Sequence, residues 1–246
     1  MDGRLIPLAA GPGAWNMSVD QALLESVEAT RVPVLRLYQW SAPTLSLGYF
    51  QKVAEREQHA ASQTAQTVRR STGGGAILHH RDLTYSIALP MSQISAGARL
   101  GLYRDMHESI AAALAEFGIR VLPHRVDQGW TGVQNAFLCF QRRTDEDLVA
   151  SGYKVLGSAQ RRSRSATLQH GSLLLTASDL APELPGVTCL TGKPVAARDL
   201  STLIAEKVGN RLSITWNSGS LTESDKGRAK KVQDERFGAR NWLFRR

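Results

Sequence analysis

The sequence predicts an α+β fold, a mixed β-sheet flanked by helices. Three observations carry that prediction. Runs rich in β-branched and aromatic residues are interleaved with helical stretches, but without the regular strand–helix–strand rhythm of a doubly wound sheet. The stretch from Asp147 to Leu175 reads as β, punctuated by Gly152 and Gly157, which suits a hairpin. Hydrophobic residues make up 42% of the 246 positions, enough for one large core or a main domain with a small appendage.

Along the chain, Asn16 or Ser18 is placed to cap a helix running to about Thr30. Val19, Leu23 and Val27 lie on one face of it, with Leu24 beside them. Val34 to Trp40 has strand character, and Ser41-Ala42-Pro43-Thr44 reads as a turn into a short strand, Leu45 to Leu47. A helix follows near Lys52 to Ala61, then a strand ending at Arg69-Arg70. Leu83 to Leu89 alternates as a strand and stops at Pro90. Leu102 to Phe117 is alanine-rich and helical, with Gly118 as its stop. Asp199 or Ser201 begins a helix reaching Val208, stopped by Gly209 and Asn210. A polar, basic helical tail follows Leu221. No repeat or low-complexity tract occurs.

No apolar run approaches the roughly 20 residues of a membrane-spanning helix, and the N-terminus lacks the apolar core of a secretory signal. Two cysteines, Cys139 and Cys189, make a disulfide framework implausible and a reducing compartment the better fit. A cytoplasmic protein without a membrane partner is expected. Thirty Lys and Arg against 22 Asp and Glu give a formal net charge of +8, which favours polyanionic partners. Arg161, Arg162 and Arg164 form one basic cluster and Lys226 to Arg246 another. Neither reads as a groove of interleaved stacking aromatics, so nucleic acid is not expected as a partner.

Chemistry concentrates in three stretches. In Arg69-Arg70-Ser71-Thr72-Gly73-Gly74-Gly75-Ala76, three glycines between two strands let the backbone approach a ligand. Their N–H groups suit an anion, with Arg69 or Arg70 adding charge; the plain alternative is a flexible hairpin loop. It is neither a P-loop nor a dinucleotide fingerprint. In Gly152-Tyr153-Lys154-Val155-Leu156-Gly157-Ser158-Ala159-Gln160, Lys154 stands between apolar neighbours. Desolvation there would lower its pKa or leave it a single buried charge able to polarise an acyl carbonyl; otherwise it is a snorkelling surface lysine. The third stretch is Gln169-His170-Gly171-Ser172-Leu173-Leu174, in which His170 alone reads as structural.

Together, in this order, these stretches resemble the lipoate–protein ligase and octanoyltransferase family. That family carries Arg-Arg-x-Ser/Thr-Gly-Gly-Gly-Ala, Lys-x-x-Gly-Ser-Ala and His-Gly-Ser/Thr-Leu motifs. The resemblance extends to Asn16-Met17-Ser18-Val19-Asp20-Gln21-Ala22-Leu23-Leu24 and Pro43-Thr44-Leu45-Ser46-Leu47-Gly48, and so covers most of the chain. It implies a class II synthetase/biotin ligase-like catalytic domain over residues 1–246, with 221–246 as its basic helical tail. An acyl tunnel would run beside the glycine loop and the lysine. Asp82-Leu83-Thr84-Tyr85-Ser86 and Cys139-Phe140 look like the cysteine-dependent, LipM-type octanoyltransferases. In that branch a cysteine takes octanoyl from acyl carrier protein as a thioester and passes it to a lysine of a lipoyl-domain or H-type protein, in lipoate biosynthesis.

The resemblance implies catalytic roles for Cys139 and Lys154. It implies substrate contacts from Arg70, Gly73, Gly74, Gly75, His79, Gly157, Ser158, His170 and Gly171. The chemistry is sound independently, since a thiolate is favoured beside a cation. The alternative for Cys139 is a core cysteine among Phe137, Leu138 and Phe140, and Cys189 is the rival nucleophile. The family usually has an acidic residue after the first histidine, where this chain has His80. No metal and no resident cofactor are expected. Two other readings stand: a lipoate–protein ligase using ATP and magnesium, whose longer forms carry a further C-terminal domain, and a non-catalytic carrier-protein-binding subunit, in which a broken lysine or glycine motif would be expected.

Overall fold

The computed structural model describes residues 1–93, 99–126, 133 and 135–246. Its strands are β1 (Asp2–Gly11), β2 (Val34–Trp40), β3 (Thr44–Leu47), β4 (Gln66–Arg69), β5 (Ile77–His79), β6 (Asp82–Pro90), β7 (Leu122–Pro123), β8 (Leu148–Ala150), β9 (Tyr153–Arg162), β10 (Ala166–Leu174) and β11 (Thr215–Ser218). Its helices are α1 (Gly13–Thr30), α2 (Arg99–Ala115), α3 (Val187–Thr191), α4 (Ala197–Leu212), α5 (Glu223–Val232) and α6 (Arg240–Leu243). Among the described residues, eight strands form one sheet in the order β11-β1-β2-β6-β10-β9-β8-β7, and β4-β3-β5 form a second. β1 runs parallel to both neighbours while β2, β6, β10 and β9 pair antiparallel, so the sheet is mixed.

The alternation along β6 explains the layers. Leu83, Tyr85, Ile87 and Leu89 face α2 and α4, where they join Met106, Ile110, Leu200 and Ile204 in the largest core cluster. On the other face α1 buries Val19, Leu23 and Val27 against Val34, Ala88 and Leu168. Asp82, Thr84 and Ser86, the polar half of the same strand, turn to this second side and are buried. A strand with both faces buried needs partners for its polar half, and those partners build the site.

Several expectations need correction. No element was expected ahead of Asn16, yet β1 lies there; its Pro7 argues against a strand interior, and the register shift between Ile6 and Ala9 accommodates it. Helix α1 begins earlier than expected, with Pro12 at the N-cap. Asn16 and Ser18 lie inside the helix, and Asn16 donates to the Gly11 and Gln39 carbonyls. The Lys52–Ala61 region forms two short 3₁₀ turns, Val53–Gln58 and Ala60–Ser62. Gly209 and Asn210 do not end α4, which continues to Leu212 with Ser213 left-handed at its cap. Gly152, at φ +80°, makes the β8–β9 turn, whereas Gly157 sits inside β9. No described helix is long and apolar enough to cross a membrane.

Candidate active site

The glycine loop joins β4 to β5 and lies directly on a neighbouring segment. A Cβ on Gly48 would overlap the Gly74 carbonyl, and one on Gly75 would stand 2.9 Å from the Phe137 carbonyl and 3.1 Å from the Cys139 nitrogen. Gly74 has φ +94°, a conformation that suits glycine. The contact is stitched by Ala76 N–H donating to Phe137 O at 2.9 Å and Cys139 N–H donating to Ala76 O at 2.7 Å. These bonds fix Cys139 at the first position of a 3₁₀ turn, half-buried against the loop.

Both arginines of the motif are used inside the protein. Arg70 is buried and donates to the carbonyls of Ser46 (2.7 Å), Gly73 (2.9 Å) and Gly75 (2.6 Å). Burial pulls its guanidinium down to about 10, against an opposing contribution from Cys139. Arg69, wholly buried, donates to the carbonyls of Gly48 (3.0 Å), Gln51 (2.6 Å) and Leu243 (2.8 Å). The charge expected of Arg69 or Arg70 at the loop is thus engaged by backbone carbonyls. Arg70 braces the loop, and Arg69 ties the C-terminal segment to it.

Lys154 enters from β9. Its Nζ lies 3.9 Å from Cys139 Sγ and 2.8 Å from Asp147 Oδ2, and 5.6 Å from the centre of the Phe140 ring. Lys154 is therefore no snorkelling surface lysine: it is 5% exposed, and its buried charge is paired with Asp147 rather than single. The same carboxylate oxygen accepts from Thr144 N–H at 2.7 Å, which fixes Asp147. Gly157 leaves the path open, because a Cβ there would overlap Lys154 Cε.

A directed hydrogen-bond chain supports this corner. His107 Nδ1 lies 2.5 Å from the Glu146 carbonyl, which can only accept, so Nδ1 carries the proton. Burial pulls the pKa of His107 down, favouring the neutral ring. Nε2 then accepts from Ser158 Oγ at 2.6 Å. Ser158 in turn accepts from the Tyr85 hydroxyl at 2.7 Å, and Tyr85 accepts from Gln169 Nε2 at 2.7 Å. Gly171 has no room for a side chain, since a Cβ would overlap Ser158 Oγ. His107 thus holds the peptide preceding Asp147, the partner of Lys154.

The opposite wall is also polar and buried. His79 donates through Nδ1 to Asp82 Oδ2 at 2.8 Å, accepts at Nε2 from Ser46 Oγ at 2.9 Å and stacks on Trp40 at 3.9 Å. Burial lowers the His79 pKa, outweighing the attraction of Asp82. His170 Nε2 lies 2.7 Å from Thr72 Oγ1, and its Nδ1 3.7 Å from Asp20 Oδ2. Burial raises Asp20, but His170, Arg36 and Ser86 outweigh it and hold the carboxyl below its usual value.

These walls enclose a cavity of about 670 Å³, within the usual range for a small-molecule site. It is lined by Cys139, Lys154, Arg70, Gly73, Gly74, Gly75, His79, Gly157, Ser158, His170 and Gly171, so the expected site residues converge on one space. Cys189 and His80 are not among its lining residues. Cys189 is exposed beside Thr176, whose hydrogen bond lowers its pKa, and His80 Nδ1 lies 2.9 Å from Ser178 Oγ. Sequence reasoning missed Asp147, His107 and Asp20. Asp20 sat within a quoted motif; Asp147 and His107 gave no signal beyond ordinary polar positions. Among the described residues no cluster of His, Cys, Asp and Glu is disposed to hold a metal ion.

Residues 12–184 match the lipoyl protein ligase A/B catalytic domain family. The chain is 31% identical to octanoyltransferase LipM of Kyrpidia tusciae, over 99% of this chain and 98% of that protein. It is 32% identical to octanoyltransferase LipM of Moorella thermoacetica over the same shares. In fold it is similar to a putative lipoate protein ligase of T. acidophilum with bound lipoic acid, with a TM-score of 0.82 at 23% identity over 100% of both chains.

Proposed function

The chain belongs to the lipoyl protein ligase A/B catalytic domain family, and on that footing we propose that it is an octanoyltransferase working through a thioester on Cys139. Octanoyltransferases matching nearly end to end support the activity. The observation that carries the residue assignment is the 3.9 Å approach of Lys154 Nζ to Cys139 Sγ beside the glycine loop. We read residues 1–246 as one catalytic domain with 221–246 as its tail, acting in the cytoplasm where Cys139 stays reduced.

The Cys139 thiolate attacks the thioester carbonyl of octanoyl–acyl carrier protein, and the Lys154 ammonium faces the negative charge that develops. The carrier thiol leaves with the proton that Cys139 gave up. In the second half, a lysine amine of a lipoyl-domain or H-type protein attacks the Cys139 thioester. Amide forms, the carbon–sulfur bond breaks, and a proton of the amine returns to Cys139. Arg70, braced on three carbonyls, holds the loop against the thiol. His79, His170, Ser158 and the glycines shape the acyl space.

The test is octanoylation of an apo-lipoyl domain with octanoyl–acyl carrier protein alone, set against octanoate with ATP and magnesium. Transfer without nucleotide supports the proposal. Product formed only with octanoate, ATP and magnesium makes the chain a ligase, and no product in either arm makes it a carrier-binding subunit.

A further inference from the structure

Where the glycine loop meets the C-terminal segment, four arginines are gathered. Arg245 lies 4.2 Å from the centre of the Tyr49 ring and 4.6 Å from that of Trp242. Arg236 lies 4.0 Å from the Trp242 ring, and Arg246 5.4 Å from that of Phe50. Arg161 donates to the Ser71 carbonyl at the base of the glycine loop. None of the four forms an ion pair among the described residues, although most charged groups on α4 and α5 do. Burial and the charges of Arg161 and Arg245 pull Arg236 down to about 10, outweighing the opposing pull of Tyr49 and Glu25. Like charges assembled at this cost call for an anionic partner. The basic tail was not expected to be interleaved with aromatics, and here the structure differs.

The face adjoins the nucleophile. The exposed Phe50 ring lies 3.9 Å from where a Gly73 Cβ would be, and Cys139 Sγ 3.9 Å from the same point on Gly74. Buried Arg69 fixes the arrangement by binding Gly48, Gln51 and Leu243 at once. Resting on the octanoyltransfer reading above, we infer that Phe50, Arg161, Arg236, Arg245 and Arg246 form the docking face for the acceptor, an acidic domain presenting its target lysine on an exposed turn. Reach selects the acceptor over the donor. A lysine has four methylenes between backbone and amine, so its domain must sit on the rim, whereas a phosphopantetheine arm lets its carrier stand well back. Nucleic acid fits less well, because guanidiniums already cover the Tyr49 and Trp242 rings that bases would stack on.

The experiment uses the full chain with Arg245→Glu/Arg246→Glu, and Arg120→Glu/Arg198→Glu as a matched charge change near α2 and on α4. Binding of a labelled apo-lipoyl domain is read by anisotropy, independently of catalysis. Enzyme preloaded from octanoyl-N-acetylcysteamine is then given the same domain in single turnover. The rim variant should bind about tenfold or more weaker and transfer slowly at low acceptor, recovering at saturation, while the matched variant behaves as wild type. Equal binding by the rim variant, equal loss in the matched variant, a defect confined to loading from octanoyl–acyl carrier protein, or a single-stranded oligonucleotide competing as well as the domain would each overturn the inference. Failure of wild type to load from the small thioester strikes the transferase reading instead, and the binding arm still decides the docking face.

Discussion

Lys154 Nζ stands between two groups, 2.8 Å from the Asp147 carboxylate and 3.9 Å from the Cys139 sulfur. The ion pair is buried on both sides. A cation held there by one fixed anion stays beside the sulfur without wandering from it.

That pair gives Lys154 a structural role beside the catalytic one proposed. Lys154→Ala leaves the buried Asp147 carboxylate without its ion-pair partner, which typically costs about 3–5 kcal/mol. Lys154→Ala/Asp147→Ala should recover much of that stability and none of the transfer. Urea midpoints and octanoylation rates of the two variants check this. With Asp147→Ala measured alongside, a double-variant loss equal to the sum of the two single losses would show that the pair is not coupled. Lys154→Arg should not rescue transfer, because a planar fork cannot occupy the place of a compact ammonium.

Gly157→Ala should impair transfer with modest effect on folding, since its methyl would overlap Lys154 Cε and move Nζ off the thiol. A displacement of about 1 Å in a reacting group costs about 10²-fold. A rate within experimental scatter of wild type would mean that Lys154 has slack that the geometry denies.

The fold and much of the site were legible because their signals are local. Val34–Trp40 and Leu83–Leu89 alternate plainly, and Gly73 to Gly75 announce a close backbone approach. β1 was hidden because Pro7 belongs to an irregularity that only the paired register reveals. Asp147 was hidden in the acidic run Asp145-Glu146-Asp147, which reads as a solvated turn. His107 sits on a polar position of an alanine-rich helix, and its meaning comes from Ser158, 51 positions away. Arg70 was legible as a site residue but not as a brace, because its partners are backbone carbonyls.

Stability should fall with acid in a defined window. His107 and His79 have folded pKa values below the 6.5 of the free ring. Between the folded and unfolded values the unfolded chain binds more protons, so stability rises with pH there and is lost as pH falls below about 6.5. Asp20 and Asp82, also depressed, add losses only once pH drops below about 4. Urea midpoints from about pH 7.5 to about pH 5 should decline, and His107→Gln should flatten the slope. A flat wild-type profile would contradict neutral buried rings.

The chain through Ser158 has one direction, so its proton positions are testable. Two-bond ¹H–¹⁵N correlations should show His107 as the Nδ1–H tautomer. Ser158→Ala should cost about 1–3 kcal/mol by leaving Nε2 and the Tyr85 hydroxyl unpaired. An Nε2–H tautomer would reverse the chain and free the Ser158 proton for another partner.

The central claim is covalent. Wild type, Cys139→Ala and Cys189→Ala are each mixed with octanoyl–acyl carrier protein without ATP, and their intact masses recorded before and after hydroxylamine. Wild type and Cys189→Ala should gain one octanoyl group that hydroxylamine removes and peptide mapping places on Cys139, while Cys139→Ala gains none. An adduct on Cys189, or full transfer activity in Cys139→Ala, would contradict the account.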